Sequence, residues 1–159
     1  MDFRVGIGYD AHRFEEGRDL ILGGVKIPYP KGLFGHSDAD ALCHAVSDAI
    51  LGAAALGDLG RHFRDSDPQW AGADSMKLLQ ECARMAMAKG WDVVNVDTVV
   101  VCQKPQLLPY LDVMAKNLAK ALALDAGSVS VKAKTTEKMG FEGREEGISA
   151  HAVAMLQRS

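Results

Sequence analysis

From Phe3 to His12 the chain alternates, with Phe3, Val5, Ile7 and Tyr9 on one side and Arg4, Gly6, Gly8, Asp10 and His12 on the other. A period of two predicts a strand, and this one delivers Asp10 and His12 to the same face near its end. Leu20 to Pro28 predicts a short hairpin-like stretch around Gly23-Gly24, and the Pro- and Gly-rich segment Pro28 to Ser37 predicts a loop. Ala, Leu and Ile then recur at helical spacing from Asp38 to Ala54, with Ser37 or Asp38 placed to cap the first turn. After a loop marked by Gly57, Gly60, Pro68 and Gly72, a second helix runs from about Asp74 to Lys89, its apolar face Met76, Leu79, Ala83 and Ala86, and stops at Gly90. Val93 to Cys102 is strand-like, and Pro109 sits near the start of a third helix through Ala123 with the stripe Leu111, Met114, Leu118 and Leu122. Strands Ser128 to Lys134 and Gly147 to Leu156, separated by a turn at Gly140 to Gly143, complete the chain.

The order strand, helix, helix, strand, helix, strand, strand predicts a single α+β domain over residues 1–159. Its mixed, mainly four-stranded sheet carries the helices on one face. The last strand is apolar on both sides of its pleat, through Ile148, Ala150 and Ala152 and through Val153 and Met155. That pattern suits either a central buried strand or a face packed against another subunit. A length of 159 residues, 48% of them hydrophobic and 25% charged, fits one soluble domain. The net charge of -3 and pI near 5.9 argue against a nucleic-acid footprint. An anionic substrate would therefore be held by metal ions or a few placed donors. Cys43, Cys82 and Cys102 are widely spaced with no Cys-x-x-Cys pair and read as buried thiols. No signal peptide is visible, and the longest apolar run, Ala49 to Leu56, is too short to span a bilayer, so a cytoplasmic protein without membrane association is expected.

Asp10 and His12 leave one face of a strand, the spacing that offers two ligands to one metal. Asp-x-His alone is a common pair; His44 strengthens it. His44 lies on an otherwise Ala-rich helix with Asp40 and Asp48 one turn to either side, and Asp48 is placed to orient a neighbouring imidazole. Two imidazoles and a carboxylate make the three protein ligands of a catalytic zinc, whose fourth position stays open. His36-Ser37-Asp38 precedes the same helix, where a cap explains Ser37 or Asp38 but not His36. Asp58 and Gly60, followed by Phe63 and Asp65, set carboxylates beside flexible backbone, suited to sugar hydroxyls or merely to turns. Lys132 to Phe141 gathers Lys134, Thr135, Thr136 and Glu137 at a strand end, where hydroxyls suit phosphate and Glu137 suits a hard cation, although the bare pattern is only a polar turn. Gly6-Ile7-Gly8 lacks the third glycine of a dinucleotide fingerprint, and there is no P-loop.

Taken together, Gly6 to His12, Gly23 to Pro28, His36 through Asp48, Leu51 to Asp58, and Lys134 to Phe141 with Gly143-Arg144 resemble the 2-C-methyl-D-erythritol 2,4-cyclodiphosphate synthase family, in order over nearly the whole chain. The resemblance implies a cytidine-diphosphate-linked substrate closed to a cyclic diphosphate with loss of CMP, in the non-mevalonate isoprenoid pathway. It implies zinc on Asp10, His12 and His44, with His36, Ser37 and Asp58 around the methylerythritol phosphate and Gly60, Phe63 and Asp65 beside them. Thr135, Thr136 and Glu137 would serve the diphosphate, Glu137 through a second divalent ion, Mg2+ or Mn2+. Cys102, Gln106, Leu107 and Leu108 with Ala133 and Lys134 would form a cytidine pocket. The family's sites lie between subunits of a homotrimer, whose axial cavity can take an isoprenoid diphosphate, here against Phe141 and Arg144. Two positions depart from the family pattern: Gln106 stands where a lysine is usual and Lys134 where a threonine often stands. A zinc-dependent phosphohydrolase and a non-catalytic trimer that binds isoprenoid diphosphates are the competing readings.

Overall fold

A computed structural model describes residues 1–159. Seven strands run β1 Phe3–Glu16, β2 Leu20–Leu22, β3 Val25–Ile27, β4 Lys31–Leu33, β5 Trp91–Val101, β6 Val129–Lys134 and β7 Gly147–Arg158. Five helices run α1 Ala41–Ala53, α2 Leu59–His62, α3 Ser75–Ala88, α4 Leu111–Ala121 and α5 Gly140–Gly143. The main sheet has the order β4-β1-β7-β5-β6, and β2-β3 form a separate hairpin. Only β5 and β6 pair in parallel, so the sheet is mixed as expected.

The sheet has five strands rather than four because β4 forms inside the segment expected to be a loop. A three-residue edge strand carries no pattern of its own. It is specified by its partner, since β1 continues past His12 to Glu16 and pairs Phe14, Glu15 and Glu16 with Leu33, Gly32 and Lys31. The first helix begins at Ala41 and its cap is Asp40, not Ser37 or Asp38. The Asp40 carboxylate accepts the Cys43 amide at 3.0 Å and also the Gly23 and Gly24 amides of the β2–β3 turn at 2.9 and 2.8 Å. One buried carboxylate thus ties the hairpin to α1, which helical periodicity cannot reveal. Gly23 and Gly24, at φ 55° and 70°, make the two-residue turn that such a tight hairpin demands. Pro109 falls in a 3-10 turn, Leu108–Tyr110, that leads into α4, and the expected turn at Gly140 to Gly143 is the short helix α5.

The closest approach in the core is between α1 and strands β1 and β7. A Cβ added at Gly6 would overlap the Ala49 carbonyl, and one at Gly8 the Ala45 carbonyl. From the helix come Ala45, Ala49 and Ala53, from β7 Ala150, Ala152 and Ala154, all buried. Small residues on both surfaces bring the backbones together, so His44 on α1 arrives beside Asp10 and His12 on β1. The opposite face of the sheet is open. Val5, Ile7, Tyr9 and Val153 are exposed there, Ile7 by 74%, although β7 is also the central strand of the sheet. β7 is therefore a central strand, buried on the helix side, with the other face of its sheet apolar and uncovered. No helix is long and apolar enough to cross a membrane.

Candidate metal centre and active site

Asp10, His12 and His44 come together as the sequence predicts, and no other group of three His, Cys, Asp or Glu side chains does so. Asp10 Oδ2 lies 2.7 Å from His12 Nε2 and 3.0 Å from His44 Nδ1, and the two nitrogens are 3.3 Å apart. Tetrahedral bonds of about 2.0–2.1 Å to one ion would space its ligands roughly 3.3 Å apart, the separation of the two imidazole nitrogens, with Asp10 Oδ2 closer to each. The rings are held in opposite tautomers, each leaving a lone pair aimed at the same point. His12 Nδ1 donates to the Phe34 carbonyl at 2.7 Å, which frees its Nε2 lone pair. The Ser75 hydroxyl makes a very short bond to Asp38 Oδ1, so it accepts from His44 Nε2–H at 2.8 Å and frees the His44 Nδ1 lone pair. Three acceptors aimed at one point call for a cation, and this donor set fits a metal ion.

The protonation preferences say the same. Burial alone would raise the Asp10 carboxyl, but hydrogen bonds from His12 and His44 outweigh it and hold the group below its ordinary value. Burial alone would lower His12, but Asp10 outweighs it and holds the imidazole above its ordinary value. A proton sits comfortably where a metal would, because the carboxylate wants a positive neighbour.

A cavity of about 300 Å³ opens from this group, lined also by His36, Ser37, Asp58, Gly60, Phe63 and Asp65, so these nine residues, expected from the sequence to meet metal or substrate, face one space. His36 is exposed and donates weakly to the Asp67 carbonyl at 3.3 Å. Ser37 Oγ lies 3.2 Å from His44 Nε2. Asp58 caps α2 by accepting the Arg61 amide at 3.0 Å, so its turn-making role and its place in the cavity coexist. Phe63 packs edge-on against Trp70, ring centroids 5.0 Å apart, as an apolar wall. Asp48 lines the cavity but orients no imidazole. Its carboxylate accepts the Leu59 amide at 2.7 Å, and burial, with Asp58 and Asp10 nearby, raises its pKa. The orienting role falls to Ser75 and Asp38, which the sequence reading missed in that role. Ser75 lies 31 positions from His44, and a serine opening a helix after Asp74 reads locally as part of a cap.

The second group lies elsewhere on the chain. Cys102, Gln106, Leu107, Leu108, Ala133, Lys134 and Thr135 line a cavity of about 450 Å³ that shares no residue with the first. Its two loops are tied by the Cys102 amide donating to the Lys134 carbonyl at 2.8 Å and the Lys138 amide to Gln103 Oε1 at 3.1 Å. Thr136 is half-buried and bonds the Met139 carbonyl. Glu137 is exposed, apart from the metal group, and with Lys138 adopts the left-handed backbone, φ 53° and 66°. Consecutive non-glycine residues in that region are costly, so the surrounding turn must hold them there. Phe141 and Arg144 line a third recess with Ala11, His12 and Arg13, where Arg144 pairs with Glu146 at 2.9 Å. All three cysteines are free and buried, burial pushes Cys82 and Cys102 up to about 12, and none belongs to the Asp10–His12–His44 group.

The model of the YgbB family matches residues 3–157. The 2-C-methyl-D-erythritol 2,4-cyclodiphosphate synthase of Ralstonia nicotianae is 57% identical over 159 residues, covering 100% of this chain and 95% of the relative. Among solved structures, the bifunctional IspDF from Campylobacter jejuni superposes with a TM-score of 0.96 at 41% identity, over 99% of this chain and 43% of that one. A 2C-methyl-D-erythritol-2,4-cyclodiphosphate synthase in its CDP-bound form gives 0.89 at 37% identity, over 97% of this chain and all of that one, 100%.

Proposed function

Since this chain belongs to the YgbB family, we propose that it converts 4-diphosphocytidyl-2-C-methyl-D-erythritol 2-phosphate to 2-C-methyl-D-erythritol 2,4-cyclodiphosphate and CMP in the non-mevalonate isoprenoid pathway. The observation that carries this reading is the convergence of Asp10, His12 and His44 at one wall of a cavity lined by His36, Ser37 and Asp58.

In this reaction an oxygen of the substrate's own 2-phosphate bonds to the β-phosphorus. The bond from that phosphorus to the bridging oxygen breaks, and its electron pair leaves with CMP. No water is consumed and no protein nucleophile is needed. Asp10, His12 and His44 would hold zinc in this reading, and Glu137 would hold a magnesium or manganese ion beside the diphosphate. Ions so held would supply neutralisation of phosphate charge and polarisation of the phosphoryl oxygens. His36 and Ser37 donate to the methylerythritol phosphate, and Asp58 accepts from sugar hydroxyls. Thr135 and Thr136 donate to the diphosphate, while the pocket between Cys102 and Leu108, with Ala133 and Lys134, takes the cytidine. Gln106 and Lys134 line that pocket together, which supports a positive charge relocated across it rather than lost. Orientation of attacking and leaving oxygens contributes about 7–11 kcal/mol in favourable cases.

The working unit in this reading is a homotrimer. Two observations support it: the apolar strand face of Val5, Ile7, Tyr9 and Val153 is uncovered in one chain, and the metal and nucleotide cavities share no residue. A threefold assembly places the second cavity of one subunit against the first of its neighbour. The recess at Phe141 and Arg144 then faces the axis, with an isoprenoid diphosphate as its occupant.

Phosphorus NMR of the protein incubated with this substrate, zinc and magnesium tests the reading, with His44→Ala as control. A cyclic diphosphate appearing with CMP only in the wild type is the expected result. An open phosphate product carrying solvent oxygen would move the assignment to a phosphohydrolase. No turnover by folded, metal-loaded protein would leave a binding protein.

A further inference from the structure

Arg18 stands outside the cavity, in the turn between β1 and β2, and takes no part in the chemistry described so far. One terminal nitrogen of its guanidinium donates to the Gly35 carbonyl at 2.7 Å and the other to the Ser37 carbonyl at 2.7 Å. The segment they hold, residues 34–38, belongs to no helix or strand. Its backbone amides are anchored only at the ends, Phe34 to the Arg13 carbonyl at 2.9 Å and Asp38 to the Ala73 carbonyl at 3.1 Å.

Four of the five carbonyls of this segment, Phe34 to Ser37, have partners. His12 Nδ1 takes Phe34, the Gly72 amide takes His36 at 2.8 Å, and Arg18 alone takes both Gly35 and Ser37. The same five residues supply the Phe34 oxygen that orients His12, the Ser37 hydroxyl beside His44, and the His36 side chain in the cavity.

We propose that Arg18 is a positioning residue for the metal centre and its substrate loop. Its planar fork spans two carbonyls and thereby keeps both imidazoles aimed at one point. The fork geometry matters, because a lysine ammonium is a point donor that cannot hold two carbonyls in a fixed plane. Bonds from a charged donor are stronger than neutral ones, which suits a loop with so little regular structure. The inference rests on the metal-centre reading above and adds a residue that touches neither metal nor substrate.

The test is Co2+ binding to metal-free wild type, Arg18→Lys and Arg18→Ala by chelator competition, with the visible spectrum of the bound ion, circular dichroism, and separate kcat and KM. Arg18→Lys keeps charge and length and carries the test should Arg18→Ala fail to fold. The expected result is wild-type circular dichroism for Arg18→Lys with Co2+ affinity lowered about tenfold or more. Its visible bands should shift and its kcat fall, and millimolar guanidinium should recover part of the affinity of Arg18→Ala. Wild-type affinity and spectrum in Arg18→Lys would overturn the proposal while leaving the metal centre intact. Failure of the wild type itself to bind Co2+ would remove the metal centre and this role together.

Discussion

In the Asp10–His12–His44 group each imidazole is fixed through its far nitrogen. Removing the Ser75 hydroxyl leaves His44 Nε2–H with only the longer contact to Ser37, 3.2 Å, and frees the ring to turn. Ser75→Ala should therefore bind zinc roughly 10–100-fold more weakly while keeping its fold, as read by chelator competition and circular dichroism. Equal affinity would show that packing alone holds the ring. The Asp10–His12 pair also makes the stability of the metal-free protein depend on pH in two directions. Asp10 lies below its ordinary value, so its contribution is present above about pH 4 and is lost as pH falls through the lower folded value. His12 lies above its ordinary value, so its contribution is complete below about pH 6.5 and is lost as pH rises through the higher folded value. The urea midpoint of metal-free protein should decline on both sides of that window, and added zinc should raise it most above pH 6.5. A flat profile would mean that the two groups do not interact in solution.

At the scale of elements, the decisive contact is α1 against β1. Gly6 and Gly8 are there for closeness rather than for a turn, since each faces a helix carbonyl that a methyl group would overlap. Gly8→Ala should cost about 3 kcal/mol, at the upper end for overpacking because backbone rather than a mobile side chain must yield. The same substitution displaces His44 from Asp10 and His12, so metal affinity should fall with the denaturation midpoint. A variant with unchanged urea midpoint would refute the close packing. The hairpin β2–β3 is a second case of tertiary control: its amides reach the Asp40 carboxylate, which also caps α1, so hairpin and helix are fixed by one buried group. Burial raises the pKa of that carboxyl despite four donors, a sign of how deeply it lies.

For the whole molecule, the sheet divides the protein into a helix-covered side and an open apolar side. In the homotrimer proposed above, burying Val5, Ile7, Tyr9 and Val153 against identical surfaces would remove apolar area from water at about 25 cal/mol per Å². An aspartate at the most exposed of them would be desolvated in the assembly without a partner. Ile7→Asp should therefore shift sedimentation from trimer to monomer, and CMP release should disappear with it. Wild-type sedimentation by this variant would place the subunit contact on another surface. The two cavities of one chain explain why activity and assembly should be lost together.

Local patterning was enough to place β1, α1, α3, α4, β5, β6 and β7, because each long element repeats its period over several residues. It was enough to single out the group that could hold a metal too: Asp10 and His12 share a strand face by alternation alone, and His44 is conspicuous on an alanine-rich helix. What it could not reach were features whose cause lies elsewhere in the chain. β4 is a strand only because Phe14 to Glu16 pair with it. The cap of α1 is Asp40 because that carboxylate also meets the hairpin amides, and Asp48 turns to the Leu59 amide instead of an imidazole. Ser75 orients His44 across 31 positions, and Arg18 holds a loop 17 and 19 positions away. Periodicity is set by neighbours a few residues apart, so sequence determined the elements and the ligand types. Hydrogen-bond partners distant in the chain meet only after the core has packed, so tertiary structure decided what orients those ligands and which face is left uncovered.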